Sequence, residues 1–128
     1  MTPTSRSIRF LKDRGFLVGK TEQWVSHPPP GHRSDLFGFA DLIACGKDID
    51  FLVQVTTASN TSARVKKIMH SDNAMQWLDC NSRHSIVVHA WKRGLIGRAT
   101  RWKLTETLIT IEDMMSLRTS DMEQPNVQ

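Results

Sequence analysis

Hydrophobic positions along the chain change period several times, and these changes mark out its elements. Within residues 4–14, Ile8 and Leu11 fall on one helical face, Thr4 or Ser5 can cap the front, and Gly15 can stop the back; this predicts a helix. Residues 16–25 then read as a strand with Trp24 near its end. Residues 26–32 hold Pro28, Pro29, Pro30 and Gly31, and a run of prolines has no N–H to give to a ladder, so this segment is a loop. Residues 36–45 are apolar and aromatic, and Gly38 among them suggests a bulge. Residues 46–48 form a turn signal, 49–57 a second strand rich in β-branched residues, and 58–62 a polar connection.

Residues 64–79 return to a helical period. Val65, Ile68 and Met69 share a face that Ala74, Trp77 and Leu78 continue, while Ser71, Asp72 and Asn73 prefer caps and can split the helix in two. Residues 85–91 are a nearly continuous apolar strand, 92–101 a basic loop with glycines, and 102–111 a last strand. Helix, three strands, helix, strand and strand is the order of an α/β fold with a mixed central sheet flanked by helices. One domain spans 1–115, and the polar residues 116–128 read as a flexible C-terminal tail.

Composition narrows the classes. A chain of 128 residues with 39% hydrophobic and 23% charged positions is ordinary globular material. Its net charge of +4 permits a phosphate-rich partner without demanding one. Cys45 and Cys80 form no CxxC pair and read as reduced, buried thiols. No segment resembles a signal peptide or the ~20 apolar residues of a membrane helix, so a cytoplasmic location and no membrane partner are expected. The histidines at 27, 32, 70, 84 and 89 have no zinc spacing, although His27 and His32 flank the proline loop. Neither a GxSxG motif nor a P-loop is present, and nothing points to a Ser-His-Asp triad. Trp24, Trp77, Trp91 and Trp102 are expected in the core, Trp77 above all, rather than as base-stacking platforms.

The chemistry-bearing pattern lies in the central hairpin. With Lys47 and Asp48 as its two-residue turn, opposed residue numbers sum to 95, which sets Asp41 across from Gln54. Opposed side chains share a face with Cβ atoms about 5 Å apart, and Thr56, two residues beyond Gln54, joins them. A carboxylate, an amide and a hydroxyl thus converge between apolar strands. Either they bond to one another and fix the register, or they hold a ligand.

The stretch Arg33-Ser34-Asp35-Leu36-Phe37-Gly38-Phe39-Ala40-Asp41-Leu42-Ile43-Ala44, followed by Val53-Gln54-Val55-Thr56, resembles the PD-(D/E)XK nuclease superfamily, and within it the small Holliday-junction-resolvase-like endonucleases of phages and bacteria. Asp41 matches the motif Asp, Gln54 stands where the motif has Glu, and Thr56 where it has Lys. Glu22 resembles an upstream acidic residue carried by many members. The resemblance covers about residues 4–91 and implies a restriction-endonuclease-like core. It also implies an Mg²⁺ or Mn²⁺ ion that lowers the pKa of a water and neutralises phosphate. Asp41, the Gln54 amide oxygen and the Val55 carbonyl would be ligands, with Asp35 or Glu22 supplying further charge. Asp35 equally suits a turn cap. A Gln ligand is neutral and weakens metal binding, and Thr56 cannot replace an ammonium. Lys66, Lys67 or Lys20 is available in its place.

Basic residues gather at Arg64, Lys66 and Lys67, and again at Lys92, Arg93, Arg98, Arg101 and Lys103 beside Trp91 and Trp102. With Arg33, they are the expected contacts to DNA phosphates. The expectation is a metal-dependent DNA endonuclease, structure-specific on branched DNA and acting as a homodimer by analogy with its resolvase-like counterparts. The alternatives are a non-catalytic DNA-binding module on the nuclease fold, or a protein-interaction domain.

Overall fold

The computed structural model describes residues 1–123. Thr2, rather than Thr4 or Ser5, caps the first helix: its hydroxyl accepts the Ser5 N–H at 3.1 Å. Pro3 takes the first turn, where a missing N–H is harmless. Helix α1 (Pro3–Asp13) follows. The single strand expected over 16–25 is two, β1 (Leu17–Lys20) and β2 (Gln23–Val25), and they belong to different sheets. The proline loop connects β2 to β3 (His32–Ser34), and these two form a small antiparallel flap.

Residues 36–45 also divide. The front half is a tight turn closed by a bridge between Leu36 and Ala40, and only β4 (Leu42–Cys45) is strand. After β5 (Asp50–Thr57) come α2 (Thr61–Met69) and α3 (Asp72–Cys80), split where the cap-forming residues predict, with the Ser71 hydroxyl accepting the Ala74 N–H at 3.1 Å. The last elements depart most from expectation. Residues 92–101 are not a loop: β6 (His84–Ile96) and β7 (Ala99–Ile109) make one long hairpin. The tail expected from Ser116 is helical to Glu123 in α4 (Ile111–Glu123), and residues 124–128 lie outside the described residues.

The main sheet runs β1-β4-β5-β6-β7, with β5 and β6 parallel and its other pairs antiparallel. Alternation along the strands gives it two greasy faces. Leu42, Val53 and Val87 pack with Leu11 of α1 on one side. Leu52, Ile86, Val88 and Ile109 pack with Phe39, Ile68, Ala74 and Met114 on the other, beneath α2–α4. Of the tryptophans, Trp91 is buried and Trp77 partly so, while Trp24 is 65% exposed and Trp102 lies half-buried under the Arg6 guanidinium at 4.6 Å. Both cysteines are free thiols, and Cys80 is exposed rather than buried. No helix among the described residues is long and apolar enough to cross a membrane.

Two polar devices fix this frame. Arg83 donates to the Gly46 and Lys47 carbonyls at 3.0 and 3.1 Å and pairs with Asp50 at 3.3 Å, so the turn between β4 and β5 is gripped from outside. Gly46 is needed there, because an added Cβ would lie 2.9 Å from the Ile49 carbonyl oxygen and 2.6 Å from the Phe16 ring. On the α1 side, fully buried Ser7 links α1 to β6. Its Oγ accepts the Trp91 indole N–H at 2.8 Å, so its own hydrogen goes to His89 Nδ1 at 2.9 Å, leaving His89 Nε2–H to Glu106 at 3.2 Å. Burial holds the His89 pKa below its ordinary value, against the pull of Glu106. This Ser-His-Glu chain has catalytic-triad connectivity, but Ser7 has no exposed surface and meets no substrate.

Replacing Ser7 by Ala strands the Trp91 and His89 nitrogens in the core. Urea unfolding should show a loss of about 2–4 kcal/mol with an unchanged m-value; a midpoint equal to wild type would mean that the network carries no stability.

Candidate metal centre

The predicted register holds. Leu42 pairs with Val53 and Cys45 with Asp50, so opposed numbers sum to 95. Asp41, one residue before β4, continues the pattern. Its N–H donates to the Val53 carbonyl at 2.8 Å, and its Oδ2 accepts the Val55 N–H at 2.8 Å and Gln54 Nε2–H at 3.0 Å. Asp41 and Gln54 therefore face each other, on the same face of the sheet as Leu52. Gln54 is 3% exposed, and its Oε1 is buried without a hydrogen-bond partner. An orphaned amide oxygen costs about 1–3 kcal/mol unless something electropositive meets it. Val55 gives its N–H to Asp41, and its carbonyl leaves β5 on the same edge, because both groups of a strand residue point one way.

The turn before β4 brings a second carboxylate. Leu36 and Ala40 exchange backbone hydrogen bonds at 3.1 and 2.9 Å, so the next residues outward, Asp35 and Asp41, oppose each other. Fully buried Phe39 anchors the turn in the core. The turn demands positive φ at Phe37 (56°) and Gly38 (84°). Glycine adopts this freely, whereas in Phe37 it stores about 1–2 kcal/mol of strain. Gly38 thus serves a tight reversal and not a bulge.

A third acid comes from the link between β1 and β2. The Thr21 N–H donates to the Asp41 carbonyl at 3.0 Å and its hydroxyl to the Ala40 carbonyl at 2.8 Å, which holds neighbouring Glu22 beside the site. Burial raises the Asp41 pKa from 3.8 to about 7; the Val55 N–H opposes the rise, and the Asp35 and Glu22 carboxylates reinforce it. Among the described residues no three His, Cys, Asp or Glu side chains suffice alone to hold an ion. A cation held here would need the Gln54 and Val55 oxygens to complete its shell. The donors are all hard oxygens and one is orphaned, so the site suits Mg²⁺ or Mn²⁺.

The remaining expected residues are scattered. Thr56 is buried on the Gln54 face, as its spacing requires. Lys20 ends β1, exposed, and does not share a strand with Glu22, because the chain changes sheets between them. Lys66 is exposed and lines a cleft with Val65, Met69, Thr107 and Leu117, between α2, β7 and α4. Lys67 is exposed on α2. Arg64, expected only as a DNA contact, lies one helical turn before buried Ile68 on the sheet-facing flank, half-buried and without an ion pair among the described residues. Its i,i+4 relation to Ile68 was the available signal. Arg33 sits on the flap and pairs with Glu22 at 3.6 Å. Lys92, Arg93, Arg98 and Arg101 are exposed along the β6–β7 hairpin. Compared with known proteins, the chain matches no family model and no curated protein.

A carboxyl whose folded pKa lies above its unfolded value stabilises fully below about 3.8, and that contribution is lost as pH rises through about 7. Asp41→Asn, which removes the charge, should therefore raise Tm by several degrees at pH 8 and change it much less at about pH 4. Thermal unfolding across that range checks this, and a Tm gain equal at both pH values would show that the carboxyl is not strained by its surroundings.

Proposed function

We propose that this chain is a divalent-metal-dependent DNA endonuclease of the PD-(D/E)XK type, hydrolysing phosphodiester bonds. The observation that carries the reading is the unpartnered Gln54 Oε1, buried beside three carboxylates that repel one another. A register-fixing network would satisfy that oxygen; here one acceptor is left over in a field of negative charge. Asp41, Gln54, Val55 and either Asp35 or Glu22 would hold the ion. When bound, it supplies Lewis acidity to the scissile phosphate and a water of lowered pKa.

The residues of the chain divide the other tasks. Gln54 Nε2–H and the Val55 N–H hold the Asp41 carboxyl in one orientation. Glu22 and Asp35 add negative charge that would draw a cation to Asp41, as it already favours the proton there. Arg64, half-buried on α2 and without an ion pair among the described residues, is our candidate to meet a phosphate in the absence of a motif Lys, since a guanidinium binds phosphate in bidentate fashion. Branched DNA is the proposed preferred substrate, and the neutral Gln54 predicts a requirement for high metal concentration.

Four-way-junction and linear DNA should be cut in Mg²⁺ or Mn²⁺, and Asp41→Ala should slow cleavage by about 100-fold or more, the scale of a lost metal. Gln54→Glu should lower the metal concentration for half-maximal rate by about tenfold through its added charge. Equal rates in wild type and Asp41→Ala, or no cleavage in either, would sink the enzymatic reading. Absence of cleavage with DNA binding retained in chelator would leave the non-catalytic binding module.

A further inference from the structure

The β6–β7 hairpin outruns the rest of the sheet. β5 pairs with β6 only as far as Thr57 opposite Trp91, and beyond that point Lys92–Ile96 has β7 as its single neighbour. Residues 92–101 are exposed throughout. The free ribbon extends about 16 Å, five residues at strand rise. It closes at Gly97 and Arg98, with Gly97 at φ 61°, the positive value required at the first central position of a type II′ turn.

Its register sorts the side chains. Lys92 opposes Lys103, Gly94 opposes Arg101 and Ile96 opposes Ala99, so these share one face. Arg93 with Trp102 and Leu95 with Thr100 share the other, where Arg6 of α1 covers Trp102. The first face is also that of the candidate metal centre: along β6, Val88 is level with Gln54, Ala90 with Thr56, and Lys92 comes next on that side. Two strand spacings and four residues of rise put Lys92 about 16 Å from Asp41. Between Trp91 and Leu104 there are five cations and no acid. Like charges directly opposed, as at Lys92 and Lys103, destabilise a hairpin. The tip adds Leu95 and Ile96, 73% and 63% exposed.

We infer that this ribbon is an arm that enters a groove of double-stranded DNA lying across the metal-centre face. A two-stranded ribbon fits the major groove, roughly 12 Å wide. Lys92, Arg101 and Lys103 would meet phosphates, and the apolar tip would reach base edges or thymine methyls. A second copy of the chain is the less favoured occupant, because two such ribbons would set cation against cation without an acid between them. The inference deepens the nuclease reading by naming duplex as the substrate class and rests on its DNA-binding half, independently of cleavage.

The test is binding of a short duplex and of one of its single strands to the full-length protein, in EDTA, over a range of salt. A Lys92→Ala/Arg101→Ala/Lys103→Ala variant should bind duplex at least tenfold more weakly, with the slope of log K against log salt shallower by about 2.7, or 0.9 per lost phosphate. Single-strand binding should change much less. Leu95→Ser/Ile96→Ser should weaken duplex binding without changing the slope. Circular dichroism and Tm would verify that the variants are folded. Unchanged duplex affinity, equal losses for both strand forms, or a dimer that the tip variant converts to monomer with DNA binding intact would each overturn the arm. Because metal is absent, a protein that never cuts DNA can still support the inference, and one that cuts without its ribbon contradicts it alone.

Discussion

The structure depends on the pairing of β4 with β5. A sheet register is all or nothing: slipped by one residue, every side chain of a strand changes face. Here a slip would turn Asp41 into the α1 core and carry Leu42 out of it to the opposite face, so apolar burial and carboxylate placement select the same alignment. Arg83 reinforces it by gripping the turn, and Gly46 permits the close approach that the turn requires. Asp41 holds its position because main chain, not merely side chains, binds it on both sides.

That position is costly. A carboxyl half removed from water, with two further acids close by, is a poor place for a charge, and the Gln54 oxygen adds an unsatisfied acceptor. Nothing in the packing requires either feature, since an asparagine and a leucine would suit an inert sheet better. Stability is given up at this one spot within a fold otherwise well satisfied, and it is on that imbalance that the proposed metal site rests.

Much of this was legible in the sequence. Paired apolar strands around a two-residue turn were enough to place Asp41 opposite Gln54, because period and turn length together fix a register. The helix break at Ser71 was equally readable from capping chemistry. The companion acids Asp35 and Glu22 were suggested by the family resemblance alone, and local pattern did not place them. Asp35 meets Asp41 through a turn that places a phenylalanine in a backbone conformation the residue disfavours, and no propensity rule anticipates that. Glu22 is held by Thr21, whose bonds run to a segment 19 residues away. Local pattern likewise could not tell a basic loop from a hairpin arm, since glycines and cations suit both until a partner strand is known. Lys66 was plausible on spacing alone, and only the docking of α2 turns it toward β7.

Sequence separation sorts the molecule into two regimes. The bond from Gln54 to Asp41 closes a loop of 13 residues, whereas the Ser7–His89 bond spans 82. Short closures cost little chain entropy and form early, while distant ones must wait for the crossover through α2 and α3 to deliver β6. The oxygen cluster is thus a product of neighbourly folding along the first half of the chain, and the far half supplies the helices over one sheet face and the long hairpin. Damage to the remote core would thin the population of folded molecules and leave the geometry of the survivors intact.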